Sequence, residues 1–156
     1  MRFEISKVSM KDVDELMEVF RGSVSTVCKN DYSPLQISAW LEAAANKDKW
    51  INRINSQYFI KAENGDGILG FGSLQNNDYI DLLYVHKDFQ RKGIAGEIFR
   101  HLEAVALKNG SSLLKSDVSK TARQFFLNTG FKVVSENVQR IGNVDIANYT
   151  MIKMLR

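Results

Sequence analysis

The first thirty residues place their apolar side chains at two different spacings. Phe3–Lys7 alternates apolar and polar residues, which predicts a short half-buried strand. Ser9 and Asp12 then resemble a capping box, with Asp in place of the usual Glu or Gln. Helical spacing follows in an apolar stripe made of Val13, Leu16, Phe20, Val24 and Val27. The pattern therefore predicts an amphipathic first helix that runs to about Cys28.

A second helix is indicated by both its start signal and its stripe. Ser33 is a good N-cap, Pro34 suits the first helical position, and Gln36 completes the box. The apolar stripe of this helix consists of Ile37, Trp40, Leu41 and Ala44. Because Trp40 lies on the stripe, packing in the core is its expected role. Asp48–Asn55 is expected to add one or two further helical turns.

The middle of the chain changes to strand patterns separated by turn residues. Gln57–Glu63 and Ile68–Gln75 are predicted strands, and the second contains the small residues Gly70 and Gly72. Tyr79–Val85 is nearly continuous in apolar and aromatic residues, which is typical of a central strand covered on both faces. Clusters of Asn, Asp and Gly lie between these segments, so we expect an antiparallel meander.

The last third of the chain alternates helices and strands, and this order sets the expected fold class. The elements are a helix at Gly93–Asn109, a strand at Ser112–Val118, a helix at Ser119–Asn128, and closing strands at Phe131–Gln139 and Val144–Leu155. The strands before and after the first of these helices should be parallel, because the connection is a crossover. The predicted fold is α/β, with the order β-α-α-β-β-β-α-β-α-β-β. It has a mixed, mostly antiparallel sheet of about seven strands, with helices on both faces.

Composition narrows the class of protein without giving a function. The chain has 156 residues, 44% of them hydrophobic and 25% charged, so we expect a single domain over residues 1–156. No apolar run approaches the length of a membrane span, and the first ten residues lack the apolar core of a secretory signal. The single cysteine, Cys28, excludes an internal disulfide. Together with the missing signal, it favours a reducing cytoplasm.

The charged and metal-binding residues argue against two further classes. A net charge of +3 suggests an anionic partner. The basic residues are scattered among 18 acids, however, with no platform of aromatic and basic side chains, so a nucleic-acid partner is not expected. Two histidines and one cysteine argue against a dedicated zinc site, and no metal is expected.

The segment Val85–Gly96 carries the strongest chemical signal. A buried strand runs into a short basic loop that opens directly into a helix, where free amides attract a phosphate. Gly93 and Gly96 let the backbone approach closely, while Arg91 and Lys92 add positive charge. Neither a P-loop nor a G-x-G-x-x-G fingerprint fits these residues. The alternative is that Gly93 only permits a tight turn beside solvated basic residues.

Two blocks of sequence match a known family pattern. Gln90–Ala95 fits the loop Q/R-x-x-G-x-G/A, and Ser119–Phe131 is similar to N-x-x-A-x-x-F-Y-x-x-x-G-F. On these blocks and on the element order, about residues 1–155, the chain resembles the GNAT superfamily of acyl-CoA-dependent N-acyltransferases. Tyr32–Trp40, taken with Tyr79–Val85, further resembles a small bacterial subgroup, the YafP-like proteins.

The resemblance implies an acetyl-CoA-dependent enzyme that passes the acetyl group directly to a primary amine of a small molecule or peptide. Acetyl-CoA would lie where the fourth and fifth strands splay apart, with its pyrophosphate on the loop amides. The cofactor-binding residues that it implies are Leu83, Tyr84, Val85, Gln90, Arg91, Lys92, Gly93, Ile94, Ala95, Gly96, Ser119 and Phe126. The alternative is a non-catalytic CoA-binding module of the same fold. The closing strands also offer an edge for a homodimer.

The same resemblance implies that Asp81 is the catalytic base, since many members carry an acid at this place on the fourth strand. An acid within an apolar strand also loses hydration, as catalytic carboxylates often do. The alternatives are a structural carboxylate paired with a neighbour, or a residue whose face meets solvent. Asp117, on the fifth strand, is a second acid that would contact substrate or act through water.

The family's usual general acid is absent from this chain. Phe126 stands where the pattern has tyrosine, so the hydroxyl of Tyr84, Tyr149 or Ser119 would have to serve. Otherwise the thiolate leaves with only amide or water assistance. Tyr32, in a polar connector before the second predicted helix, is the expected substrate contact.

Overall fold

The computed structural model describes every residue from Met1 to Arg156. Its strands are β1 (Glu4–Lys7), β2 (Tyr58–Asn64), β3 (Gly67–Gln75), β4 (Tyr79–Val85), β5 (Leu113–Ser119), β6 (Lys132–Ile141) and β7 (Val144–Met154). Its helices are α1 (Val13–Val27), α2 (Pro34–Ala43), α3 (Lys47–Ser56), α4 (Ile94–Lys108) and α5 (Arg123–Asn128). Short 3₁₀ turns precede and follow α1. This architecture confirms the predicted α/β fold class, but the order has one helix more than predicted. Asp48–Asn55, expected as one or two further helical turns, lies within the separate ten-residue helix α3.

All seven strands form one mixed sheet in the order β1-β2-β3-β4-β5-β7-β6. The pair β4–β5 is parallel, which confirms the predicted crossover through α4, and the other neighbouring pairs are antiparallel. β1 and β6 are therefore the two edges of the sheet. None of the helices has the length and apolar composition that a membrane crossing requires.

Both predicted capping boxes are present. At the turn before α1, the Ser9 amide donates to Oδ2 of Asp12 at 2.9 Å. At α2, the Gln36 amide donates to Oγ of Ser33 at 3.1 Å, and the Ser33 amide donates to Oε1 of Gln36 at 2.8 Å. The Gln36 side-chain amide also donates to the carbonyl of Asp145 at 2.9 Å, which ties α2 to β7. Local sequence therefore sets where these helices begin, and one cap also orients its helix.

The helices cover the two faces of the sheet with separate hydrophobic cores. α4 and α5 pack on one face, around buried residues such as Ile98. α1, α2 and α3 pack on the other, around an aromatic cluster that includes Phe20 and Trp50. Glycine in β3 lets α4 come close, because a Cβ on Gly72 would lie only 2.7 Å from Cγ2 of Ile98.

The helix expected at Ser119–Asn128 is shorter than the pattern predicts. β5 continues through Ser119, and α5 begins only at Arg123. The hydroxyl of Ser119 accepts a hydrogen bond from the amide of Ala122 at 3.1 Å, so a side chain closes the turn between strand and helix.

A β-bulge interrupts the pairing of β3 with β4. Ser73 pairs with Leu82 and Leu74 pairs with Ile80, so Asp81 is the extra residue on β4. Asp81 and Tyr84 therefore come to the same face of the sheet although they are three positions apart. The alternating pattern of the sequence carries no sign of this shift.

β4 and β5 pair at one position and then diverge. Tyr79 is in register with Lys115, and the Ser116 hydroxyl donates to the carbonyl of Ile80 at 2.8 Å. Beyond this point the backbone of residues 81–85 has no strand partner on its β5 side. The two strands thus open a cleft in the centre of the sheet, toward their carboxyl ends.

Candidate active site

The loop between β4 and α4 presents a run of free backbone amides. No amide from residue 90 to residue 96 donates a hydrogen bond within the protein. Arg91 and Gly93 have positive φ angles of 59° and 81°, which turn successive amides toward the helix axis. The Gln90 side-chain amide donates to the carbonyl of Val85 at 2.7 Å and so fixes the loop on the end of β4. The N-terminus of α4 is therefore built to receive an anion.

A cavity of about 710 Å³ runs from this loop into the cleft between β4 and β5. We call it the cofactor cavity. Predicted cofactor-binding residues that line it are Leu83, Tyr84, Val85, Gln90, Arg91, Gly93, Ile94, Ala95, Gly96, Ser119 and Phe126. Lys92 is exposed and does not line it. The sequence reasoning missed the contribution of Cys28 and Asp31, which follow α1 and reach this wall only through folding.

A second cavity, of about 400 Å³, lies on the face of the sheet that α1, α2 and α3 cover. We call it the acceptor cavity. The predicted site residues Tyr32, Asp81 and Asp117 line it. Tyr84 and Ser119 line both cavities, so the two meet at these side chains. This shared wall is the candidate reaction centre.

Asp81 enters the acceptor cavity as one half of an ion pair. Its Oδ2 accepts hydrogen bonds from Nε of Arg53 and from Nε2 of Gln57, each at 2.9 Å, and 19% of its side chain is exposed. Its other oxygen, Oδ1, accepts no hydrogen bond from the protein. Sequence reasoning missed both partners, since nothing in the pattern of α3 connects it with β4. The pairing that the sequence left as an alternative is therefore present, and it leaves one oxygen free.

Asp117 lies on the β5 wall of the same cavity and is held from two strands. Its Oδ2 accepts a hydrogen bond from the Tyr79 hydroxyl at 3.1 Å, and its Oδ1 accepts one from Thr150 at 2.9 Å. Burial, and after it the negative charge of Asp117, raise the pKa of Tyr79 to about 12. Tyr79 therefore stays protonated and remains a donor to Asp117 at neutral pH.

Of the three hydroxyls that could replace the missing tyrosine, two lie on the shared wall. Burial is the largest cause that raises the pKa of Tyr84 far above its ordinary value, so this phenol keeps its proton. No protein group bonds its hydroxyl, and its ring packs edge-on against Phe20 with the centroids 4.9 Å apart. Ser119 is the second of these hydroxyls. Tyr149 lines neither cavity, and its ring lies under Arg123.

Tyr32 is buried rather than placed in an open connector, with 4% of its surface exposed. Its hydroxyl donates to the carbonyl of Ala147 and accepts from the amide of Lys120, both at 2.8 Å. Only the ring is left to contact a ligand. Trp40, expected in the core, packs edge-on against that ring and also lines the acceptor cavity.

The structure contains no group of three or more His, Cys, Asp or Glu side chains arranged to hold a metal ion.

The two cavities on a splayed seven-stranded sheet define the class of protein. A family model described as an acetyltransferase (GNAT) domain matches residues 28–153, and the chain belongs to this family. The N-acetyltransferase class predicted from the sequence is thereby confirmed.

Three similar proteins agree with this assignment. The uncharacterized N-acetyltransferase YafP of Escherichia coli (strain K12) is 32% identical over 126 residues, which cover 80% of this chain and 78% of that protein. The crystal structure of a GCN5-related N-acetyltransferase from Rhodopseudomonas palustris is 30% identical, with a TM-score of 0.94, and the match covers 99% of this chain and 97% of the other. The PaiA N-acetyltransferase of Thermoplasma acidophilum, crystallised with coenzyme A, is 25% identical, with a TM-score of 0.83 and 99% of each chain covered.

Proposed function

We propose that the chain transfers the acetyl group of acetyl-CoA directly to a primary amine. The observation that carries this proposal is the meeting of two cavities at Tyr84 and Ser119. One cavity ends at free amides on a helix N-terminus, and the other is lined by aromatic side chains and two acids. Two binding sites that share one wall bring a donor and an acceptor together, which lowers the entropic part of the barrier.

The fit to coenzyme A comes from the shape and charge of the cofactor cavity. The amides of residues 90–96 suit a pyrophosphate, and Arg91 adds a positive charge beside them. The unpaired backbone of residues 83–85 suits the amide groups of the pantetheine chain. The coenzyme A bound to the Thermoplasma relative supports this choice. Lys92 does not line the cavity, so its positive charge would serve only to attract an anion as it approaches the loop.

Asp81 remains our candidate for the base. As the amine nitrogen bonds to the thioester carbonyl carbon, the carbon–sulfur bond breaks and the amine proton must leave. Arg53 and Gln57 fix one oxygen of Asp81, and Oδ1 is left to receive that proton through a water molecule. Asp117 adds a second negative charge in the same cavity, which attracts the ammonium form of the acceptor.

Tyr84 is our candidate for the acid that protonates the leaving thiolate. It lies on the shared wall and its hydroxyl is free of protein partners. Its raised pKa keeps it protonated, so it donates a hydrogen bond to the developing thiolate before any proton is transferred. Ser119 is the second candidate, because its oxygen accepts from the Ala122 amide and its proton is free to point elsewhere. The aromatic ring of Phe126 would then only pack against the pantetheine.

The setting of the enzyme is also a proposal. We infer that it works as one domain in the cytoplasm, since its single cysteine, Cys28, is buried and makes no disulfide. The outer edge of β6 is long and open, and it exposes apolar side chains that include Val134 and Val138, 60% and 67% exposed. This edge is the expected contact of a homodimer, because an open edge strand pairs readily with another chain.

The proposed function is tested by binding and turnover together. Saturating acetyl-CoA should raise the melting temperature by about 5–10 °C, whereas adenosine should not. A thiol reagent should then detect free CoA when the enzyme, acetyl-CoA and a broad panel of amines are mixed. Stabilisation with no CoA release from any amine would instead favour a non-catalytic CoA-binding module. The absence of stabilisation would overturn the proposal altogether.

A further inference from the structure

We propose that the acceptor is a hydrophobic amino acid, an amine that carries a carboxylate beside an apolar side chain. The inference rests on the proposed acetyl transfer, and it comes from the wall of the acceptor cavity that α3 forms. Lys49 and Arg53 lie one helical turn apart on α3, and both line this cavity. Neither residue lines the cofactor cavity, so their charges are not needed for CoA.

The guanidinium of Arg53 is held in place but keeps donors to offer. Its Nε donates to Oδ2 of Asp81 at 2.9 Å, and its Cζ lies 5.7 Å from the centroid of the Trp50 ring. Neither Nη atom bonds a protein acceptor, although 30% of the side chain is exposed. A planar guanidinium fixed at Nε presents the Nη atoms as a fork, which matches the two oxygens of a carboxylate.

Lys49 supplies a second cation without a partner. No carboxylate in the protein lies within ion-pair distance of its ammonium, whereas Lys47, on the same helix, pairs with Asp14 at 2.9 Å. The cavity therefore has two cations with free donors on one helix. Such a pair suits an anionic group on the ligand.

The acids of the cavity lie on other elements. Asp117 is on β5 and Asp81 is on β4, so the four charged groups sum to zero. Asp81 already pairs with Arg53, which leaves the ammonium of Lys49 on α3 and the carboxylate of Asp117 on β5 without an ionic partner. A zwitterion with no net charge complements this arrangement, with its ammonium toward Asp117 and its carboxylate toward α3. A polyamine carries only positive charge, which Lys49 and Arg53 would repel.

The space between the charged groups is apolar. Phe20, Trp40, Ile141 and Ile146 line it, and the volume of about 400 Å³ lies in the range of sites for small molecules. An apolar side chain of an amino acid would bury its surface against these rings and branched chains. Together these features define an acceptor with an amine, an apolar body and a carboxylate.

The test compares amino acids with the amines that remain after their carboxylate is removed. The pairs are leucine and 3-methylbutylamine, phenylalanine and phenethylamine, and tryptophan and tryptamine, with spermidine as the polycation. Release of CoA is measured at saturating acetyl-CoA. We expect kcat/KM to be about tenfold or more higher for the amino acid in at least one pair, mainly through a lower KM, because a charge-assisted hydrogen bond is lost without the carboxylate.

Charge reversal on α3 makes the test specific. Lys49→Glu should lower the preference for the carboxylate at least fivefold, while Lys108→Glu, an exposed lysine on α4, should leave it unchanged. An unchanged preference in Lys49→Glu overturns the inference, as does faster turnover of all three decarboxylated amines or of spermidine. These results would leave the acetyl transfer itself standing. No CoA release with any of these seven compounds would also overturn the inference, whereas the transfer itself is decided by the broad amine panel described above.

Discussion

The two cavities of this enzyme are built in opposite ways. The end of the cofactor cavity that offers free backbone amides comes from consecutive residues, 90–96, in one loop and the first turn of α4. The acceptor cavity is assembled from side chains of three helices and four strands, and its central ion pair joins residues 28 positions apart, Arg53 and Asp81. The amide end of the cofactor cavity is therefore a local feature of the backbone, whereas the acceptor cavity depends on tertiary packing.

This difference predicts which kind of substitution impairs each of the two cavities. A backbone site depends on dihedral angles that only certain residues adopt, so one substitution in the loop damages it. A site of side chains from many elements changes its chemistry with one residue while its walls remain. Substitutions on the two sides should therefore separate cofactor affinity from turnover.

The largest effect is expected on the cofactor side. Gly93→Asp places a negative charge at the anion site on a residue with a φ of 81°, so acetyl-CoA affinity should fall about 300-fold or more. Gly110→Asp is the matched control, since Gly110 also has a positive φ, of 86°, and open space around it, but lies beyond α4. Calorimetry should show lost binding only for Gly93→Asp. Equal binding by both variants would mean that the loop does not hold the anion.

The next effect separates the chemistry from the binding. Asp81→Asn should lower kcat about a hundredfold at neutral pH, because the amide cannot accept the amine proton, while acetyl-CoA affinity stays nearly constant. Asp145→Asn, in an exposed ion pair with Arg140, serves as the control. Steady-state kinetics give both parameters. If kcat is retained and only the KM of the amine rises, Asp81 is a positioning residue that orients Arg53.

A smaller loss is expected when the proposed acid is removed. Tyr84→Phe should lower kcat about tenfold, since a thiolate leaves fairly well without help. Because the pKa of Tyr84 is raised, ionisation of this phenol should cause no fall in wild-type kcat below about pH 10. Tyr58→Phe, on β2 outside both cavities, is the matched variant. Wild-type turnover in Tyr84→Phe would transfer the role to Ser119 or water.

The smallest effect concerns stability at alkaline pH. Tyr79 has a pKa raised to about 12, so its contribution is complete below pH 10 and is lost as the pH rises toward 12. Because the group is partly exposed, the loss should be about 1–2 kcal/mol. Denaturant titrations at pH 9 and 11.5 should show a weaker pH dependence in Tyr79→Phe than in the wild type. An identical dependence would show that burial of Tyr79 does not oppose its ionisation.

Sequence reasoning reached the fold class and the family because both depend on local patterns. The strand Tyr79–Val85 was predicted to the residue, and the capping box at Ser33 set the start of α2. The free amides of residues 90–96 were expected, because a basic loop runs directly into a helix at this point. The bulge at Asp81 and the partner Arg53 could not be predicted, because strand register and the docking of α3 are decided by packing.

The sequence by itself therefore determined the family and the order of elements apart from α3, since both depend on the spacing and type of neighbouring residues. Tertiary structure alone decided which side chains meet in the acceptor cavity. Packing buries Tyr32 and leaves Oδ1 of Asp81 without a protein partner. It also places Lys49 and Arg53 beside the apolar side chains of the acceptor cavity. The physical reason is that cavities form by long-range packing. Residues far apart in the sequence become neighbours only when the helices pack on the sheet.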